Sequence, residues 1–169
     1  MTLKNAILAM ALLVLPMAAQ AQAIAVYDGQ AVFNAMSEKA DAEAQLQRAS
    51  ERLQTEYKQL QEEFNRKYAD YQTLAADPDT PASIKERRMQ EIQESDKMIQ
   101  AFQRRAEAEL KQMRDQLTTP LRAAIQAAVK EVGDQAGYAI ILDLSQGAVS
   151  YIGAATLDVT AQVKAKLGL

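Results

Sequence analysis

The side chains of this 169-residue chain that could share acid–base chemistry are carboxylates, because it has 22 Asp and Glu but no histidine or cysteine. Asp28 and Asp143 each follow a predicted strand, and two converging carboxyl groups could act as general acid and general base. The alternative is that they cap a helix and form a turn, which aspartate does readily after a strand. We favour the second interpretation, and the sequence predicts a protein that is not an enzyme.

Composition excludes several other kinds of site. Without cysteine or histidine, the chain can form no Ser-His-Asp or Cys-His nucleophile and no Cys/His zinc site or disulfide. None of the six glycines belongs to a G-x-G phosphate loop, and no calcium loop of alternating acids is present. We therefore expect no cofactor and no metal, and the net charge of −3 argues against nucleic acid as a partner.

The densest basic cluster consists of Lys85, Arg87 and Arg88. One interpretation is contact with an acidic lipid or an acidic protein segment. The other is an ordinary solvated helix start, in which Glu86 and Glu91 are local partners. The pattern favours the second interpretation.

The first 23 residues have the order of a secretory signal peptide. Lys4 lies in a short polar start, an uncharged apolar run follows at 6–15, and two overlapping A-x-A sites end at Ala21 and Ala23. The run of about ten residues is too short to span a bilayer, which takes about 20. We expect cleavage after Ala21 or Ala23 and favour Ala23, because 24–27 reads as a strand of the fold.

Two long amphipathic helices are predicted next. Residues 37–76 contain no glycine or proline, and their apolar residues recur with a period near 3.6. Pro78 and Pro81 end this helix, and a second apolar stripe continues to about Val132. Because the connection is short and both stripes share an eleven-residue repeat, we expect an antiparallel hairpin.

The pattern allows two starts for the second helix and two outcomes at its proline. Thr80 could cap it with proline at the first helical position, or Ser83 could open a capping box. Pro120 should kink the helix or begin a new one capped by Thr119. We place the joint between the hairpin and the rest of the chain at this proline.

Short strands flank the hairpin. The candidates are 24–27, 138–143 and 148–152, with the last two joined as a hairpin through a turn at 145–147. A last helix opens at 158–160 and carries two lysines near its end. Three short strands without disulfides leave open edges and a marginal core, so we expect oligomerisation to close them.

Size fixes the architecture. A 40-residue helix is about 60 Å long, whereas a compact chain of this size has a radius of gyration near 15 Å, so the hairpin must protrude. The sequence predicts a mainly α fold with a small β-body at 24–36 and 121–169 and a helical arm at 37–120, with its tip near 77–82. The side chains expected in the oligomerisation surface of the body are Ile24, Val26, Tyr138, Ile140, Leu142 and Tyr151.

The whole chain after the predicted signal peptide resembles the Skp/OmpH periplasmic chaperones in the order and spacing of its features. The matching residues are Ile24 to Asp28 with Gln30 and Val32; Pro120, Ala124, Ile125 and Val129; Gly137, Tyr138, Ile141 and Asp143; Tyr151, Leu157 to Thr160, Val163 and Leu167. The resemblance implies a periplasmic homotrimer whose three arms enclose unfolded outer-membrane proteins without ATP.

Charge separates this chain from the best-known members of that family, which are strongly basic and for which contact with membrane or lipopolysaccharide is implied. Between Glu38 and Asp115 the chain has 14 basic and 17 acidic residues, a net of −3. Charge attraction to clients and binding of lipopolysaccharide are therefore not carried over.

Client binding is expected from residues beside the apolar stripes, above all Tyr57, Met89 and Met98. Methionine is flexible and polarizable and suits promiscuous surfaces, although a residue at helical spacing more often packs in the hairpin. The alternative function is a structural coiled-coil adaptor or spacer of the cell envelope. Such an adaptor would bind one folded partner, whereas a chaperone would bind many unfolded ones.

Overall fold

The computed structural model describes residues 24–169, and the predicted signal peptide at 1–23 lies outside these described residues. The chain there is mainly helical, with a small sheet. The elements in chain order are β1 (Ile24–Tyr27), α1 (Gly29–Ala35), α2 (Ser37–Ala76), α3 (Ala82–Ala136), β2 (Ile140–Asp143), a 3₁₀ turn (Leu144–Gln146), β3 (Leu157–Asp158) and α4 (Thr160–Lys166).

Helices α2 and α3 form the predicted antiparallel hairpin. Residues later in α2 meet residues earlier in α3: Arg52 pairs with Glu109, and Lys67 bonds Ser95. The 40 residues of α2 extend about 60 Å and the 55 residues of α3 about 80 Å. The apolar stripes lie between the helices, where Leu53, Ile92 and Phe102 are buried.

Both predicted caps at the start of α3 are wrong. The residue before the helix is Pro81, whose carbonyl oxygen accepts bonds from the amides of Ile84 and Lys85, and no side chain caps the helix. The Thr80 hydroxyl instead donates to the Asp77 carboxylate and closes the turn. Proline fixes φ near the helical value, so it can lead into a helix without a side-chain cap.

The sequence left two outcomes at Pro120, a kink or a new helix capped by Thr119, and the second is wrong because α3 continues through this residue. A proline inside a helix removes one hydrogen bond and costs about 3 kcal/mol. Just beyond it, however, Leu121 and Ile125 are buried in the body, and a buried leucine or isoleucine side chain contributes about 1.5–3 kcal/mol. Packing therefore offsets the break, and the helix ends at Gly137, which has a positive φ of 72°.

The sheet is parallel, and the predicted β-hairpin between segments 138–143 and 148–152 is wrong. Its strand order is β2-β1-β3, and both neighbours run parallel to β1. Segment 148–152 is not a strand, and β3 is the two-residue strand that lies just before α4. Parallel pairing puts the carboxyl ends of β1 and β2 at the same edge, because Tyr27 aligns with Asp143.

One face of this sheet lies on the core of the body. The core consists of Ala25, Tyr27, Val32, Met36, Leu121, Ile125, Ala128, Val132, Val159 and Val163. It joins β1 to α1, to α4 and to the last part of α3, which contributes four of its residues. Among residues 24–169, none of the helices combines the length and hydrophobicity that a membrane crossing needs.

Candidate functional site

The outer face of the sheet carries exposed apolar side chains. Ala25, Tyr27 and Ile141 pack on the core, and because side chains alternate along a strand, Ile24, Ile140 and Leu142 point to the opposite face. Ile24 pairs in register with Ile140, and all three side chains are between 40 and 49 % exposed. A small sheet therefore presents an apolar outer face with open edges at β2 and β3.

The other residues expected in the oligomerisation surface have different environments. Val26 lies in the central strand between Leu142 and Asp158 and is buried, and Tyr138 packs against the core. Tyr151 is 85 % exposed in the segment after the 3₁₀ turn. Ile152 and Leu157, which were not expected in the oligomerisation surface, are also exposed. Ile152 directly follows Tyr151 in the sequence, and this was the signal that could have found it.

The two aspartates singled out as acid–base candidates are structural. Asp28 accepts a 2.9 Å bond from the amide of Ala31 and caps α1, as the capping interpretation predicts. The Asp143 carboxylate accepts bonds from the amides of Gly29 and Ser145, at 3.0 and 2.9 Å, and from three side chains. The three side-chain donors are Tyr27, Ser145 and Gln146.

These bonds shift the pKa of both partners in the Tyr27–Asp143 contact. Burial alone would raise the pKa of Asp143, but bonds from Ser145, Gly29 and Gln146 together hold it below its usual range. Burial raises the pKa of Tyr27, and the nearby Asp143 charge raises it further. Asp143 is thus a fully engaged, charged anchor, which is unlike a carboxyl group free to exchange a proton with a substrate.

A cavity of about 260 Å³ lies beside this anchor. It is lined by Tyr27, Phe33, Arg122 and Asp143 among others, and the Arg122 guanidinium lies 5.8 Å from the centre of the Phe33 ring. The Asp143 oxygens that border the cavity already have hydrogen-bond donors. Asp143 is the one residue of the cavity lining with a carboxyl group, so the cavity contains no second, free carboxyl group that could act together with it.

Adjacent residues of α2 make contacts across the hairpin on two different sides. The Tyr57 hydroxyl accepts a 2.9 Å bond from the side chain of Gln103, whereas the Glu56 carboxylate accepts a 2.9 Å bond from Arg105. Successive helical residues are about 100° apart, so these two links lie on opposite flanks of the interface, with buried Phe102 between them. The hairpin thus has two flanks of different chemistry.

The three residues expected to bind clients are not brought together. Tyr57 stacks on Phe102 at 6.3 Å between ring centres and also accepts a bond from Gln61. Met89 is half-buried, and Met98 is exposed. Met98 lies seven residues before Arg105, which places it on the flank of ion pairs.

An exposed aromatic residue that the sequence did not single out is Tyr68. Its ring stacks on Phe64, 6.2 Å away between centres, and the residue is 46 % exposed. In the helical pattern it looked like one more residue of the stripe. Its offset to one edge of the stripe, eleven residues after Tyr57, was the available signal.

The basic cluster at the tip is occupied by local partners. The Lys85 ammonium donates to the carbonyl oxygens of Ala75 and Asp77, at 3.2 and 2.8 Å, and so closes the end of α2. Arg88 donates to Glu91 at 2.6 Å, and Arg87 lies 3.8 Å from the same carboxylate. The cluster therefore helps to fold the tip.

A family model described as outer membrane protein (OmpH-like) matches residues 23–167, which is nearly all of the part that the structure describes. No curated protein matches the chain.

Proposed function

Because the chain belongs to the OmpH-like family of outer membrane proteins, we propose that it is an ATP-independent periplasmic holdase chaperone. Its clients would be unfolded outer-membrane proteins. The family is one of periplasmic chaperones, and the finer assignment to holdase activity on such clients is our proposal.

The observation that carries this proposal is the shape of the chain. A hairpin of two helices about 60 Å long projects from a body whose sheet has only three short strands. An arm of this length can contact a long unfolded segment at many weak sites. Many weak contacts together give useful affinity and still permit release by mass action.

The proposal includes assembly into a homotrimer through the body. The exposed side chains Ile24, Ile140 and Leu142 and the open edges of β2 and β3 are the surfaces that a second copy would cover. Exposed apolar faces and unpaired strand edges are usually buried in an interface. The number three comes from the resemblance to Skp/OmpH proteins, and three arms around one axis would enclose a cavity.

The experiment uses the chain from Ile24 to Leu169 and a urea-unfolded outer-membrane β-barrel protein. The mass is measured by light scattering, and turbidity is followed when the client is diluted out of urea with and without the chain. We expect a trimeric mass and suppressed turbidity, with no effect of added ATP. The matched control is an equal mass of a folded protein of similar charge.

Other outcomes would contradict the proposal. Turbidity that is unchanged by an excess of the chain would exclude holdase activity. Saturable binding to one folded envelope protein, without affinity for the unfolded client, would identify the structural adaptor instead. A monomeric mass at micromolar concentration would reject assembly through the sheet.

A further inference from the structure

The two flanks of the hairpin differ in charge. On α2, the flank that contains Tyr57 is a stripe at steps of three and four residues, which keeps its members on one side of the helix. We name it the neutral flank; its residues are Gln47, Ser50, Gln54, Tyr57, Gln61, Asn65, Tyr68 and Gln72. It contains no formal charge over 26 residues, which rise about 38 Å along the helix.

This lack of charge is confined to one side of the helix. Between 47 and 72, ten of the 26 residues of α2 are Asp, Glu, Lys or Arg, and all ten lie off the neutral flank. All of its members except Ser50 and Tyr57 are exposed, and those two are half-buried. The flank is therefore a solvent-facing surface of side-chain amides, one hydroxyl and two tyrosines.

Helix α3 extends the neutral flank. Gln103 lies on it, because its side chain bonds Tyr57. Asp96 and Met89 lie seven and fourteen residues earlier, two and four turns away, on the same side. Asp96 is the one charge there between Met89 and Gln103, and its carboxylate accepts a 2.7 Å bond from Gln100.

The opposite flank carries the ion pairs that join the two helices. Glu56 binds Arg105, and Arg52 binds Glu109. Further towards the tip, Lys67 lies 2.8 Å from Glu63. The first two pairs link α2 to α3, whereas Lys67 and Glu63 both belong to α2, so this flank is the charged side of the hairpin.

We propose that the neutral flank is the surface that contacts the client, and that its partner is an extended, unfolded polypeptide held by amide hydrogen bonds and tyrosine contacts. This rests on the proposed chaperone function. A surface with little charge is complementary to a client of either sign, because few like charges are brought near and few ions must be desolvated.

The chemistry of the flank suits an unfolded backbone. Each Gln or Asn side chain offers donors and an acceptor, and an unfolded chain has unpaired amide and carbonyl groups at every residue. Tyrosine adds apolar area with a polar end, at little cost in conformational entropy. Exposed Tyr68 and half-buried Tyr57 place such rings eleven residues apart.

The spacing predicts binding without a fixed register. Side chains on the flank recur about every 5.4 Å along the helix, whereas like-facing groups of an extended chain recur about every 6.6–6.8 Å. The two repeats do not match, so only some contacts form at any one alignment. A client can slide between alignments of similar energy, which suits weak binding of many sequences.

The test places the same number of charges on each flank. One double variant combines Gln54→Glu with Asn65→Glu, and a second double variant combines Gln54→Lys with Asn65→Lys. The matched control is Gln45→Glu with Gln59→Glu, because these exposed residues lie seven positions on either side of Arg52, on the ion-pair flank. Helicity and thermal midpoint are compared first, to show that all variants fold.

Affinity is then measured by fluorescence anisotropy with a labelled, urea-unfolded outer-membrane β-barrel protein. We expect both neutral-flank double variants, of either sign, to weaken binding about fivefold or more because charges are desolvated, and the control to leave it unchanged. Wild-type affinity should change less than about threefold between about 0.05 and 0.5 M NaCl.

The outcomes separate this inference from the proposed function. If the wild-type chain does not bind the unfolded client, the chaperone function itself is rejected. If it binds and the two flanks respond equally, or only one sign of charge weakens binding, contact through the neutral flank is rejected while the chaperone function stands.

Discussion

The carboxylate of Asp143 lies directly against the α-carbon of Gly29. It accepts a 3.0 Å hydrogen bond from the Gly29 amide, and a Cβ at position 29 would lie 2.5 Å from its Oδ2 atom. This contact joins the carboxyl end of β2 to the first turn of α1, across 114 residues that include both arm helices. The arm is therefore anchored at a place where a side chain on residue 29 has no room.

The first prediction is that Gly29→Ala lowers the free energy of unfolding by about 1–3 kcal/mol, because the new methyl group displaces the carboxylate. Asp143→Ser removes both the clash and the anchor. The double variant should therefore lose less stability than the sum of the two single variants. Denaturant unfolding followed by circular dichroism measures all three.

Gly153→Ala is the matched control for this cycle. A Cβ there comes no closer than 3.8 Å to other atoms, so the variant should stay within about 0.5 kcal/mol of wild type. Additive effects of Gly29→Ala and Asp143→Ser would mean that the two residues do not share the predicted contact.

The second prediction is that acid weakens this anchor. The pKa of Asp143 is lowered in the folded chain, so its charge stabilises the fold above the unfolded pKa of about 4. That contribution is lost as the pH falls through the lower, folded pKa. Asp143→Asn should therefore lower the thermal midpoint near neutral pH, and its difference from wild type should shrink as the pH falls below about 4.

Thermal midpoints from neutral pH to about pH 3 measure this effect. The curve of Asp143→Asn should be flatter than that of wild type. Two parallel curves would show that another carboxylate accounts for the acid sensitivity, and Asp158, whose pKa is lowered by bonds from Thr160, would be tested next.

Much of the fold follows from the sequence where the pattern is long. The 40 residues of α2 have many turns over which a 3.6-residue period can be recognised. β3 has two residues, Leu157 and Asp158, which is too short for any alternation. Segment 148–152 has the composition of a strand, yet the strands that pair with β1 are β2 and the two-residue β3. Strand pairing is a long-range property, which composition within one segment does not determine.

The third prediction concerns a polar contact inside the arm. Ser95 is 3 % exposed and its hydroxyl accepts a 2.9 Å bond from the Lys67 ammonium. Ser95→Ala removes the acceptor and should cost about 1 kcal/mol. Adding Lys67→Met makes both sides apolar and should recover that loss, since an apolar pair needs no partner in a buried position.

Thermal unfolding at constant pH measures these variants. Thr55→Ala is the control, because that exposed hydroxyl bonds only the backbone of its own helix, at Glu51. Its effect should be at most a slight stabilisation of about 0.7 kcal/mol, because alanine favours the helix more than threonine does. If the double variant is less stable than Ser95→Ala alone, the charged end of Lys67 stabilises the hairpin through Glu63 more than through Ser95.

The fourth prediction is that Leu142→Glu disrupts assembly. Leu142 lies on the outer face of the sheet and is 40 % exposed in the single chain, so the folded subunit should tolerate the change. In a subunit interface the new carboxylate would be buried without a partner, which costs several kcal/mol. Light scattering should show a smaller mass, and circular dichroism should show unchanged helicity.

Met98→Glu is the control for assembly, because Met98 is also exposed and apolar but lies on the arm. It should leave the mass unchanged. A trimeric mass for Leu142→Glu would show that the outer face of the sheet is not the interface.

The candidate sites were harder to predict than the fold. The sequence indicates which residues lie near an apolar stripe, but Tyr57 and Met98 fall on opposite flanks of the hairpin, and this follows from how α2 faces α3. Likewise, Lys85 looks like a free cation in the sequence, whereas it caps α2 across the tip. Contacts between elements decide such roles, and a local pattern does not contain them.

The fifth prediction is that the tip does not bind anionic membranes. Residues 70–96 have seven acidic and three basic side chains, a net of −4, and the three cations already have the partners described above. Each available basic residue contributes about 1 kcal/mol to the attraction to an anionic surface. Sedimentation with phosphatidylserine vesicles near physiological salt should therefore leave the chain in the supernatant.

Replacing Asp79, Glu86 and Glu94 by lysine changes the net charge from −4 to +2 and should bring the chain down with the vesicles. The opposite result would be that the wild-type chain sediments and that the triple variant Lys85→Ala, Arg87→Ala and Arg88→Ala does not. It would establish the basic cluster as a lipid contact.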